Sequence, residues 1–289
     1  MPGSNANLDK VAEELMNIIQ IDSLSLPELE PYRTMRRTLE HRAKGIFVAE
    51  GEKVVRRLLE SDLKVVSILL TRGWLNIYEN LLENRQIENG IFVGEKSLLE
   101  QIVGCGLHQG IMAIGRVPAS VAIFDLLNKF PNPRLLVASD GIANSENMGV
   151  IVRNCAAFGV QALIAGETSC DPYLRRSVRN SMGTIFKLPI ASAEKLSIVL
   201  KRLRDEFSFQ IVAAHPQEDS VELAKVDLTG DISVVFGSEG EGISRSVLDE
   251  CTVRVKIPMK NDVDSINVAS SVGVVLYEVS RQRKKFVEI

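Results

Sequence analysis

The feature that most constrains this chain is a series of short, almost uninterrupted apolar runs in its second half, each separated from the next by a helical pattern. RLLVASDGI at 134–142, ALIAG at 162–166, FQIVAAH at 209–215, ISVVFG at 232–237 and VRVKIPM at 253–259 have the length and β-branched content of strands. Strands without polar alternation are covered on both faces, and intervening helices supply the crossovers, so the pattern predicts an α/β fold with a mostly parallel C-terminal sheet. Ligands on such sheets sit outside the carboxyl ends of the strands. The loops that follow these runs are therefore where chemistry is to be sought.

A smaller α/β unit is expected ahead of this sheet. Between 28 and 117, GIFVAEG, KVVSILLT, GIFVG and GIMAIGRV read as strands, and KVVRRLLES, LNIYENLLE and EKSLLEQIVG read as the helices between them. In the 1–27 extension, Leu8, Val11, Leu15, Ile18 and Ile19 fall at helical spacing and predict an amphipathic helix over 8–20. Residues 118–133 (PASVAIFDLLNKFPNP) form a linker whose prolines end any helix before the 134–289 domain begins. Two domains also suit a length of 289 residues.

Composition narrows the class. An apolar fraction of 45% with 25% charged residues is that of a globular protein. No uncharged apolar run approaches the roughly 18 residues of a membrane span, and the opening MPGSNANLDK lacks a signal peptide's basic and apolar regions, so a cytoplasmic address without membrane association is expected. Cys105, Cys155, Cys170 and Cys251 are scattered without a CxxC, and only His41, His108 and His215 are present, so neither a disulfide framework nor a metal site is expected. A net charge of −3 provides no global attraction to nucleic acid. Local clusters would have to supply it: Arg33, Arg36, Arg37, Arg42 and Lys44; Arg175, Arg176 and Arg179; Arg281, Arg283, Lys284 and Lys285. Taken singly, each also reads as a solvated charged face.

Three segments carry candidate chemistry. NSENMGVIVRNCAAFG (144–159) opens a helix in which Asn144, Ser145 or Asn147 can act as cap, with Arg153 further along to reach a phosphate or to pair with a nearby carboxylate. VVFGSEGEGIS (234–244) turns sharply at Gly237, Gly240 and Gly242 after a β-branched run, leaving backbone groups for a ligand. Glu239 and Glu241 would repel phosphates, which suits a cofactor of positive charge. In IPMKNDVDSINVASSVGVVLY (257–277), Ser265 is placed to cap a helix beginning near Asn267, whose face Val268, Ala269, Val272 and Val275 is slim enough for close packing or self-association. GCGLHQG at 104–110 only superficially suggests a dinucleotide fingerprint: its spacing is GxGxxxG, and a strand pattern follows it instead of a helix.

These three segments, in this order, resemble the signature motifs of the SpoU (TrmH) family of RNA ribose 2′-O-methyltransferases, members of the SPOUT class. The resemblance covers roughly 134–285, while 28–117 looks like the ribosomal-protein-like RNA-binding domain often fused ahead of it, mainly through FVAEGEKVVRRLLES. It implies a deep trefoil knot near the C-terminus, S-adenosyl-L-methionine as cofactor, an RNA substrate (rRNA or tRNA), and a homodimer whose active sites are completed across the interface. By the same resemblance, Asn147, Arg153, Glu239, Ser265 and Asn267 take the catalytic positions. Gly237, Ile257, Met259 and Ile266 take the cofactor positions, and Arg179 with Arg176 those of the substrate RNA. Two departures stand out: Asn261 replaces the usual glycine after IPM, a place where asparagine can still turn left-handed, and Ile266 replaces a leucine. The alternatives are a catalytically inactive knotted RNA-binding protein, which would have no need of this residue set, and a Rossmann-type nucleotide enzyme, for which the glycine fingerprint is lacking.

Overall fold

The computed structural model describes residues 17–103, 110–261 and 263–283. These form two compact units: residues up to Pro118 together with Tyr173–Phe186, and Ala119–Pro172 together with the residues from Lys187 onward.

In the first unit a five-stranded sheet runs in the order β1-β4-β3-β5-β2, with β1 Ile18–Ile21, β2 Ile46–Glu50, β3 Val65–Leu70, β4 Ile91–Gly94 and β5 Ile111–Arg116. β1, β4 and β3 are parallel, and β5 runs antiparallel to both β3 and β2. The helices Glu52–Leu59, Arg72–Glu83 and Lys96–Val103 fall where the apolar periodicity put them. Ile18 and Ile19 correct one expectation: they belong to β1, paired with Ile91 and Phe92, and not to an opening helix. Two adjacent isoleucines beside an exposed strand edge gain more by extending the sheet than by helical propensity. The rest of that expected helix, and most of the GCGLHQG segment, lies outside the described residues.

Phe47 on β2 shows how local sequence shapes this unit. Its cross-strand partner is Gly115, where a Cβ would stand 2.3 Å from the Phe47 ring. Glycine thus lets the ring lie across the sheet, and Tyr173 and Phe186 each pack on it with ring centroids 5.4 Å apart.

The second unit is built on seven strands, all parallel, in the order β10-β12-β9-β11-β6-β7-β8. They are β6 Leu135–Asp140, β7 Ala162–Ala165, β8 Ile190–Ser192, β9 Gln210–Ala214, β10 Val221–Glu222, β11 Ile232–Gly237 and β12 Val253–Lys256. Helix Leu196–Phe207 buries Leu196, Leu200 and Leu203 against Leu136, Ile164, Ile211 and Val235. Each such side chain contributes roughly 1.5–3 kcal/mol by leaving water. Helix Ser145–Ala157 packs against helix Val268–Gln282, and Asn154 Nδ2 donates to the Ala269 carbonyl across that contact at 2.7 Å. Val268, Ala269, Val272 and Val275 are buried within the unit, so this face is core; Val274 and Tyr277 are the exposed apolar side chains of that helix. No helix of the described residues is long and apolar enough to cross a membrane.

Candidate active site

The carboxyl ends of β6, β9, β11 and β12 carry the site. β11 ends at Gly237, where a Cβ would stand 2.2–2.4 Å from backbone atoms of Gly242 and Ile243. Only glycine permits that approach, because those atoms are backbone and cannot swing aside. The approach is needed because residues 238–242 fold back on themselves: Ser238 N donates to Gly242 O at 2.9 Å, Gly242 N returns a bond to Ser238 O at 3.1 Å, and Glu241 N donates to Ser238 Oγ at 3.1 Å. Gly242 takes φ +71 to close the turn. The loop is anchored from below by Asp140, a buried carboxylate at the end of β6 whose Oδ2 accepts from Ser244 N at 2.7 Å and whose Oδ1 accepts from Thr168 Oγ1 at 3.2 Å.

The tip of this loop presents Glu239 to two amides. Asn147 Nδ2 donates to Glu239 Oε1 at 3.0 Å, Asn267 Nδ2 donates to the same oxygen at 2.7 Å, and Asn267 Nδ2 also donates to Asn147 Oδ1 at 3.0 Å. The orientation of Asn267 follows from its other end, where Oδ1 accepts from Ala269 N at 2.9 Å and Ser270 N at 3.3 Å. Asn267 is therefore the N-cap of helix Val268–Gln282, correcting the expectation that Ser265 fills that place. At the other helix Asn144 is the cap, accepting from Glu146 N at 2.8 Å, and Asn147 lies in the first turn. Both helix mouths thus open on one carboxylate, which is favoured near the positive end of a helix dipole.

Beside this triad lies a cavity of about 580 Å³, lined by Gly237, Ile257, Met259, Ser265 and Ile266 together with Glu239 and Asn267. Its size is that of a site for a cofactor-sized molecule. Phe236, Val255 and Val268 give it apolar wall, while the backbone of Ser265 and Ile266 makes no hydrogen bond to other backbone groups among the described residues, leaving polar groups for a ligand. Glu239, Glu241 and Asp264 make the lining acidic. Lys256, also in the lining, turns its ammonium to the carbonyls of Glu218 at 2.9 Å and Gln217 at 3.4 Å. Burial, and then the charge of Arg254, hold His215 below its ordinary value, so it adds no positive charge at neutral pH. These residues suit a ligand with both an apolar part and a positive charge. Asn261, in the loop that follows, has φ 60, a left-handed conformation that asparagine tolerates better than most residues.

The other expected residues fall elsewhere. Arg153 is exposed on helix Ser145–Ala157, lines no part of this cavity, and makes no hydrogen bond or ion pair among the described residues. Arg176 and Arg179 lie on helix Arg175–Asn180 in the first unit, where Arg179 Nη1 meets Glu50 Oε1 at 3.3 Å. Of the other basic clusters, Lys44 pairs with Glu30, Arg37 with Glu40 and Arg281 with Glu278. His215 and Gln217 line the cavity and Asp140 supports it, none of them singled out from the sequence. All three follow or end a buried strand, the signal that would have found them. No cluster of metal-ligand residues occurs among the described residues.

Fold and site together describe an α/β enzyme whose pocket sits at the carboxyl ends of a parallel sheet. A family model described as the SpoU rRNA Methylase family matches residues 134–277. An uncharacterized tRNA/rRNA methyltransferase of Mycolicibacterium vanbaalenii is 36% identical over 242 residues, spanning 81% of this chain and 76% of the relative. Another, from Mycobacterium tuberculosis, is 30% identical over 264 residues, spanning 88% and 89%. In fold, the AdoMet-bound rRNA methyltransferase of Sinorhizobium meliloti is similar with a TM-score of 0.78 at 22% identity, covering 92% of this chain and 98% of that one. A SpoU methyltransferase from Streptomyces viridochromogenes gives 0.76 at 23% identity, covering 88% and 96%. The chain belongs to the SpoU/TrmH family of RNA methyltransferases.

Proposed function

We propose that the chain transfers a methyl group from S-adenosyl-L-methionine to a ribose 2′-hydroxyl of rRNA or tRNA. The observation that carries this reading is the meeting of Asn147, Glu239 and Asn267 at the mouth of an acidic, partly apolar cavity lined by Gly237, Ile257, Met259 and Ile266. When bound, the cofactor supplies an already activated sulfonium methyl. The acidic lining favours that cation, and the backbone of Ser265 and Ile266 is free to bond the adenine and ribose edges. The deep trefoil knot implied by family resemblance would bring the 257–266 loop to the end of β11.

The residues of the chain then have to align the hydroxyl and help it lose a proton. Glu239, accepting from two amides, fixes them; Asn147 and Asn267, so held, and Ser265 beside them orient the ribose. Arg153 acts as a cationic clamp on the ribose and its neighbouring phosphate, which accepts the proton. A guanidinium holds its proton far too tightly to act as a base near neutral pH, so the clamp is electrostatic and not a proton acceptor. An exposed Arg153 outside its own chain's cavity fits a homodimer in which each subunit completes the other's site.

The test is calorimetric titration of the cofactor, followed by incubation of the protein with total RNA and methyl-labelled cofactor, then alkaline hydrolysis. A 2′-O-methyl group blocks cleavage beside it, so label is expected in dinucleotides. Label in mononucleotides would rule out the ribose. Protein that binds RNA but takes up no cofactor in the titration and transfers no label would favour the inactive knotted RNA-binding alternative.

A further inference from the structure

In the first unit, Glu50 ends β2 and is nearly buried, its side chain 10% exposed. Two arginines of helix Arg175–Asn180 share its carboxylate. Arg175 takes Oε2 through Nε at 2.9 Å and Nη2 at 2.6 Å, and Arg179 meets Oε1 through Nη1 at 3.3 Å. The arginines stand four apart on one helix face, where like charges repel. The carboxylate offsets that repulsion and leaves the trio with one net positive charge. They are not equivalent: the Arg175 side chain is 19% exposed and that of Arg179 is 52% exposed. Arg175 is the buried anchor, held through two nitrogens, and Arg179 is held through Nη1 alone with its side chain half exposed. A guanidinium carries five N–H groups in one rigid plane, so a contact at Nη1 restricts where the other four can point.

The segment does not depend on this carboxylate for its place. Tyr173 and Phe186, at its two ends, both pack on Phe47, and Arg57 Nη1 donates to the Met182 carbonyl at 2.6 Å. A nearly buried acid on the strand that faces an already anchored helix, holding one arginine inward and a second half outward, is more than the packing requires.

We infer that Glu50 is a positioning residue for the RNA substrate: it sets the guanidinium of Arg179 so that its outward edge meets an RNA phosphate. The inference rests on the reading of RNA as the substrate. It makes a prediction opposite to that of bulk charge, since removing a carboxylate from an anion-binding surface would otherwise strengthen binding.

The experiment measures binding of the full chain to a labelled single-stranded RNA of mixed sequence over a range of salt concentrations, for the wild type, Glu50→Gln, Arg179→Gln and the double variant. Loss of one charged hydrogen-bonded contact is expected to weaken binding about tenfold in Arg179→Gln, and the loss of one phosphate contact to lower the log–log salt slope by about 0.7. Glu50→Gln is expected to lose a similar factor despite its added positive charge, and the double variant to bind no more weakly than either single one. Additive losses, or tighter binding by Glu50→Gln, overturn the proposal. Should Glu50→Gln not fold, Glu50→Asp keeps the charge for Arg175 but withdraws from the already long contact to Arg179. It should melt near the wild-type temperature and still bind RNA more weakly, and unchanged affinity overturns the proposal alone. Wild-type protein that ignores the RNA overturns the RNA reading and this inference with it.

Discussion

Asn267 uses both ends of one amide: its oxygen caps a helix and its nitrogen joins Glu239 to Asn147. The two duties can be separated. Serine caps about as well as asparagine but is too short to reach both partners, so Asn267→Ser should keep stability within about 0.5 kcal/mol and lower turnover roughly 100-fold through lost alignment. Urea denaturation and single-turnover methylation check the two halves, and a large stability loss with normal turnover would show the triad to be merely structural. Part of this arrangement was legible in the sequence, because the family motifs name Asn147, Glu239 and Asn267 directly. Their shared hydrogen bonds were not, and neither was the Glu50–Arg179 pair: its members lie 129 positions apart, and side-chain partnerships at that range leave no local pattern.

At the scale of elements, the parallel strands of the second unit were the easiest to read, and ISVVFG matches β11 residue for residue. β8 and β10 were missed because three- and two-residue strands at sheet edges are too short for any periodicity. The helix at Val268 was recognised, but its first residue depended on which of two small polar side chains capped it, a choice made by tertiary contacts. The Gly237 turn is the element most sensitive to change. A methyl group there has only the Gly242 and Ile243 backbone to push against, so Gly237→Ala should cost about 1–3 kcal/mol and abolish cofactor binding measured by calorimetry. Retained binding would place the cofactor elsewhere.

For the molecule as a whole, histidines link stability to acidity. Burial, followed by the charge of Lys44, lowers the pKa of His41, and burial with Arg254 lowers that of His215, both from an ordinary value of 6.5. Above that value both rings are neutral folded or unfolded, and they contribute nothing. As pH falls below it the unfolded chain takes up protons first, so stability declines until the folded-state values are passed. Urea midpoints at pH 7.5 and 5.5 should fall with acidity, and a His41→Gln, His215→Gln double variant should flatten the decline. An unchanged slope would locate the effect in other groups.

The membership of Tyr173–Phe186 in the first unit means that the polypeptide passes between the two bodies three times. No single scissor point yields two intact pieces: a chain ended at Pro118 leaves Phe47 without the two rings that pack on it, and one begun at Ala119 carries Tyr173 and Phe186 without Phe47. Splitting the gene at one junction would therefore leave apolar rings uncovered on both products.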